Sequence, residues 1–144
     1  MDRPIRLAEA PDKAAWLAMR QSLWPKEPGL ADELDKLLER EDFMVWLALD
    51  GSTPIGFAEA SIRAFANGCD TQPVAFLEGI WVDDAHRRQG VGRALVATVE
   101  AWAKTRGLSE LGSDTWLDDL RSQEVHGHWG FQETERVVYF RKKL

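Results

Sequence analysis

Cysteine is nearly absent: Cys69 is the one thiol in 144 residues, which excludes an internal disulfide framework and any multi-cysteine metal site. The three histidines, His86, His126 and His128, form no ligand pattern with it, so no metal is expected. Long hydrophobic runs are missing too, since no window approaches the roughly 18 consecutive apolar residues of a membrane span. The opening Arg3-Pro4-Ile5-Arg6-Leu7 lacks a basic start followed by an apolar core, so neither a signal peptide nor a location outside the cytoplasm is expected. Positive charge is in deficit, with 18 Lys and Arg against 24 Asp and Glu and a net charge of −6. That balance disfavours a surface for nucleic-acid phosphates. It suits cationic partners, although solubility alone also accounts for it. No repeat, biased tract or linker interrupts the chain, and residues 1–144 are read as a single domain with enough length to bury its own core.

What is present is an alternation of strand and helix signals. Ile5 to Ala8 reads as a short strand. Asp12 is placed to cap a helix whose Trp16, Leu17, Arg20 (through its stem) and Leu23 follow helical spacing. Trp24-Pro25-Lys26-Glu27-Pro28-Gly29 breaks that helix, and a second is expected from about Leu30 to Arg40. Phe43 to Leu49 and Pro54 to Ile62, separated around Asp50-Gly51-Ser52, read as a hairpin. A loop from Ala64 to Gln72 leads to a strand from Val74 to Val82. Val91 opens a strongly amphipathic helix carrying Leu95, Val99 and Trp102 on one face and ending near Gly107. A strand around Leu111 to Thr115, a helix ending near Trp129 at Gly130, and an alternating, β-rich tail from Phe131 to Lys142 complete an α/β layer protein: a mixed sheet with helices on its faces.

The segment with the most chemistry is Ile80-Trp81-Val82-Asp83-Asp84-Ala85-His86-Arg87-Arg88-Gln89-Gly90-Val91-Gly92-Arg93. An apolar strand ends, a polar loop turns, and a glycine-bearing stretch opens a helix. Unpaired N–H groups at that helix start, reinforced by the macrodipole, make an anion site. Gly90 and Gly92 permit close approach of the backbone, and Arg87, Arg88 and Arg93 add charge. The spacing Arg87-x-x-Gly90-x-Gly92 directly after a valine-ended strand resembles the pyrophosphate-binding motif of the GNAT superfamily of N-acetyltransferases, and the order of elements resembles that family from end to end. The resemblance implies a mixed, mostly antiparallel central sheet flanked by about four helices and splayed between the fourth and fifth strands. It also implies acetyl-CoA as co-substrate. Trp81 and Val82 would pair with the pantetheine arm, and Arg87, Gln89, Gly90, Val91, Gly92 and Arg93 would hold the pyrophosphate. Where the family often carries a tyrosine four residues before a Gly-Phe pair, this chain has His126. Imidazole can donate a proton to a leaving thiolate; water, or Tyr139, the one tyrosine in the chain, are the alternatives.

Acetyl transfer needs a neutral amine, and carboxylates help by holding the ammonium and accepting its proton. Two acids stand out. Glu78 lies inside the apolar run Phe76-Leu77-Glu78-Gly79-Ile80, where a carboxylate needs a partner or a cleft. Asp114 lies at the C-terminal end of the expected fifth strand, where open α/β sheets bind ligands. The blocks Gln21-Ser22-Leu23-Trp24-Pro25, Gly56 to Arg63, Asn67-Gly68-Cys69-Asp70, Phe76 to Ile80, Ser113-Asp114-Thr115 and Glu133 to Val137 resemble, more narrowly, the aminoglycoside 6'-N-acetyltransferases. That likeness implies an acidic, aromatic-edged cleft for a polycationic antibiotic. Trp24 would flank the drug, Glu78 and Asp114 would hold and deprotonate its amine, and Glu135 is a further candidate for the cleft. It implies a homodimer joined through C-terminal strands, and resistance to the antibiotic. A GNAT enzyme acting on a polyamine or protein amine, and a non-catalytic acetyl-CoA-binding module, are the competing readings.

Overall fold

A computed structural model describes residues 3–144. Five strands form one sheet in sequence order: β1 (Ile5–Leu7), β2 (Phe43–Asp50), β3 (Thr53–Arg63), β4 (Val74–Val82) and β5 (Leu111–Gly112). The first three junctions are antiparallel and the last, β4 to β5, is parallel. Four helices cover it: α1 (Lys13–Leu23), α2 (Leu34–Glu39), α3 (Val91–Thr105) and α4 (Leu120–His128). The family architecture expected from the sequence is therefore the one observed.

The period-two pattern of β2 decides which helix lies on which face. Val45, Leu47 and Leu49 pack with Trp16, Met19, Leu34 and Phe57 under α1 and α2. Trp46 and Ala48, pointing the other way, join Ala58, Ala60 and Leu77 against Val91, Leu95, Val96 and Val99 of α3. The latter four recur at helical spacing and are all buried, which gives α3 one continuous apolar stripe.

β5 pairs with β4 only at Ala75 and Phe76. Beyond that point the strands part, and from Leu77 to Val82 the β4 edge facing away from β3 has no strand partner among the described residues. This is the expected splay, and it leaves a row of main-chain groups available to a ligand.

Four local expectations are corrected. The tail Phe131 to Lys142 is not β-structured: the described residues 132–144 form no strand, and Val138 and Phe140 are 75% and 92% exposed. The alternation is real, but a strand needs a neighbour to satisfy its backbone, and within this single chain it has none. β5 stops at Gly112 instead of Thr115, because the sheet has already splayed and offers nothing further to pair with. α2 begins at Leu34, after turns from Gly29. Asp12 does not cap α1 through its side chain. Its carboxylate accepts from Arg6 Nη1 and Nη2 at 2.7 and 2.9 Å and from the Glu9 amide at 2.8 Å, and the Arg6 guanidinium holds it below the usual carboxylate range.

Candidate active site

The register of β3 on β4 shifts between Glu59 and Ala60: Glu59 faces Gly79, whereas Ala60 faces Leu77. Glu78 is thus the extra residue of a β-bulge, a device that bends a strand and re-aims its side chains. Before the bulge Leu77 faces α3; after it Trp81 faces α1. Glu78 and Gly79 stand at the crossover. A side chain on Gly79 would collide with the Trp24 ring, since a Cβ there falls 2.6 Å from Cη2. The indole is therefore seated directly on the β4 backbone beside Glu78.

Trp24 and Glu78 line one cleft of about 390 Å³. Its charge is not what the narrow resemblance implies. Glu33, Glu59 and Glu78 on its walls are matched by Arg20, Arg40 and Arg63. Glu78 Oε2 accepts from Ser61 Oγ at 2.7 Å and Arg63 Nε at 2.9 Å, and Oε1 accepts from Arg63 Nη2 at 2.5 Å. Glu59, 1% exposed, accepts from Trp16 Nε1 (2.8 Å), Arg20 Nε (2.7 Å) and Arg20 Nη2 (3.2 Å). Burial pushes the Glu59 carboxyl up against the opposing pull of Arg20. Arg20 in turn donates to the Leu30 carbonyl and to Glu33, and its guanidinium lies 5.2 Å from the Trp24 ring centroid, within cation–π range. One buried arginine thus ties α1, the loop to α2, β3 and the cleft tryptophan together.

The remaining predicted side chains stand apart from that wall. Asp114 is exposed, two residues past the end of β5. Its charge, with that of Tyr139, adds to the dominant effect of Glu78 in raising Arg63. Glu135 is exposed in the tail, which crosses the β3–β4 loop where Thr134 Oγ1 abuts Gly68. His126, half-buried on α4, stacks edge-on against Phe131. Its Nδ1 lies 2.7 Å from the Ser122 carbonyl oxygen; only a protonated Nδ1 can donate there. In the neutral ring Nε2 is then the acceptor for the Ser113 hydroxyl at 2.8 Å. A proton released from a charged His126 through Nε2 therefore reaches Ser113, the neighbour of Asp114.

At the other end of β4, Arg88 and Gly90 both take left-handed backbone angles, φ 61° and 82°, before α3 starts at Val91. Gly90 is the N-cap residue of α3, so the amides of the first turn lie beside this kink. A Cβ on Gly90 would meet open space, so the angle, not crowding, favours glycine. Gly92 serves packing instead, since a Cβ there would sit 2.9 Å from the Trp129 ring. Arg87 braces the turn through Nε to the Val82 carbonyl (2.9 Å) and Nη1 to Asp84 (2.6 Å). Arg93 donates to the His128 carbonyl at 2.7 Å, and Gln89 accepts from Arg3. Among the described residues no three His, Cys, Asp or Glu side chains converge as a metal cage.

Sequence reasoning valued Arg20 only for its stem and treated Glu59, Ser61 and Arg63 as members of a similar block. The available signal was the alternation Phe57, Glu59, Ser61, Arg63 on one face of β3, which turns from apolar to polar where the strand leaves the cover of α1.

Residues 12–131 match the acetyltransferase (GNAT) family. The aminoglycoside N(6')-acetyltransferase type 1 of Stenotrophomonas maltophilia is 44% identical over 143 residues, covering 97% of this chain and 93% of that protein. The protein of the same name from Serratia marcescens is 46% identical over 136 residues, covering 90% and 92%. Among solved structures, AAC(6')-Iy in complex with the bisubstrate analogue CoA-S-monomethyl-acetylneamine superposes with a TM-score of 0.94 at 37% identity, covering both chains completely. AAC(6')-Ih from Acinetobacter baumannii superposes with a TM-score of 0.93 at 40% identity over 99% of each chain. The chain belongs to the acetyltransferase (GNAT) family, on the branch of the aminoglycoside 6'-N-acetyltransferases.

Proposed function

We propose that the protein transfers the acetyl group of acetyl-CoA to the 6'-amino group of aminoglycoside antibiotics by direct attack within a ternary complex. The observation that carries this reading is the double use of β4. Its bulge presents Glu78 and the Trp24 seat to the cleft, while its free edge from Leu77 to Val82 leads to the Gly90 turn at the start of α3. An acceptor on the face and a thioester along the edge meet on one strand.

In this reading the pantetheine arm pairs with main-chain groups at Trp81 and Val82. The pyrophosphate rests on amides from Gln89 to Arg93, with Arg88 the most available charge. Arg87 acts by shaping the turn. Glu78 and Asp114 hold the acceptor ammonium, Trp24 packs on a sugar face, and Glu135 approaches from the tail. After a carboxylate or water takes one proton from the ammonium, the amine nitrogen bonds to the thioester carbon; the adduct's nitrogen gives its second proton to a carboxylate or water, and the C–S bond breaks. The thiolate then takes a proton from His126 relayed by Ser113, or from water. Acetylation removes one positive charge from the drug, which accounts for resistance, and acetyl-CoA supply places the reaction in the cytoplasm. The kinetic test is thiol release from acetyl-CoA with kanamycin or tobramycin beside paromomycin, whose 6' position bears a hydroxyl. Release with the first two and little with paromomycin is expected. Turnover of a polyamine or peptide alone would overturn the acceptor.

The homodimer belongs to the same proposal. Val137, Val138, Tyr139 and Phe140 are all exposed in the tail, and a second copy offers the strand neighbour that a single chain lacks. A V138D/F140D double variant is expected to elute and sediment as a monomer where the parent is a dimer. An unchanged mass would remove the tail from the interface.

A further inference from the structure

Glu78 is held more tightly than an acceptor carboxylate needs to be. An ionised carboxylate has about four acceptor sites, two per oxygen. Oε2 is filled by Ser61 Oγ and Arg63 Nε, and Oε1 accepts Arg63 Nη2. One acceptor site is left, on Oε1. The donors are themselves fixed: Ser61 is 4% exposed, and the Arg63 guanidinium lies 3.6 Å from the Phe76 ring centroid. The bulge supplies the direction of Glu78, and Ser61 and Arg63, adjacent on the same face of β3, fix its rotation.

We infer that Arg63 is a positioning residue for the acceptor amine: with Ser61 it saturates Glu78 except for a single acceptor site on Oε1, and that site orients one ammonium N–H of a polycationic acceptor. This rests on the proposed use of the cleft. The bidentate grip is a property of the planar guanidinium, whose fork spans both oxygens of a carboxylate. A lysine at this position supplies charge without the two-point geometry. Because the effect passes through Glu78, Arg63 has no role for an acceptor once that carboxylate is gone.

A double-mutant cycle on purified full-length protein tests this, with kanamycin as acceptor. Arg63→Met, which keeps an apolar stem over Phe76, is expected to lower kcat/KM for kanamycin by about 10–100-fold, the scale of a misplaced reacting group. Arg63→Lys recovers only part of it, and KM for acetyl-CoA stays within about twofold in each, since no contact to β4's free edge is altered. In a Glu78→Gln background Arg63→Met should add less than about twofold, the signature of two residues acting as a unit. Equal losses from Arg63→Met in both backgrounds, or none in the parent, overturn the inference. Should Arg63→Met not fold, Ser61→Ala and Arg63→Lys complete the same cycle. If Glu78→Gln alone leaves kanamycin kinetics untouched, the use of the cleft fails first. A flat cycle with an active Glu78 effect fails Arg63 alone.

Discussion

Glu78→Gln and Asp114→Asn are each expected to lower kcat/KM for an aminoglycoside by about 10²–10³-fold, within the range of general base catalysis, while CoA affinity by calorimetry changes less than about twofold. The two losses should differ in kind. Glu78 is half-buried and already accepts three hydrogen bonds, so in the proposed mechanism its remaining acceptor site orients an ammonium. Its amide variant keeps the shape but loses charge, and the loss should fall on acceptor KM as much as on kcat. Asp114 is exposed, near enough for its charge to reach Arg63, and its neighbour Ser113 is bonded to His126. In the proposed mechanism a water bridges amine and carboxylate there, so its loss should fall mainly on kcat. Steady-state kinetics with acceptor varied at saturating acetyl-CoA separates the two patterns. Full activity in both single variants removes the acids from the mechanism.

How much of this was legible in advance follows from the range of the interactions involved. Local rules were enough for β4, α3 and the kink at Gly90, because periodicity and a glycine before an amphipathic helix are properties of neighbouring residues. They were enough to pick out Glu78, since a carboxylate in an apolar strand is conspicuous. They missed the bulge, because a register shift belongs to two strands 17 to 20 residues apart, as in Glu59 against Gly79 and Ala60 against Leu77. They missed the charge balance of the cleft for the same reason: Arg20, Arg63 and the acids they neutralise come together only in three dimensions. The tail failed differently. Its alternation predicts a strand, but pairing is decided by whether a neighbour exists, and the described residues of the single chain offer none. Asp12 has the right chemistry for a cap and spends it on Arg6, a competition that a linear reading cannot weigh.

The largest stability effect should come from Arg20, on the wall of the cleft. The Glu59 carboxylate is 1% exposed in the parent, and in Arg20→Met it keeps only the Trp16 N–H as donor. Removing one partner of a buried ion pair costs about 3–5 kcal/mol, or about 10–17 °C in Tm for a chain of this size. The pH dependence has a definite sign. Burial already raises Glu59 in the folded protein, and without Arg20 it must rise further. A carboxyl whose folded pKa exceeds its unfolded value is most favourable to folding below the unfolded value, and that contribution is lost as pH climbs toward the folded one. The deficit of Arg20→Met against the parent should therefore be small near pH 4.5, where Glu59 takes up a proton readily, and grow toward neutrality. A deficit independent of pH would mean that lost packing, not a stranded charge, is responsible. The double variant Arg20→Met/Glu59→Leu leaves no buried charge behind and should regain most of the stability, as apolar replacement of a buried pair often does. It should not regain activity, because the guanidinium that faces the Trp24 ring and holds the Leu30 carbonyl and Glu33 is gone. Stable protein with a raised acceptor KM is the expected result, and it separates the two uses of Arg20: neutralising Glu59 inside the fold, and holding the wall of the cleft in place.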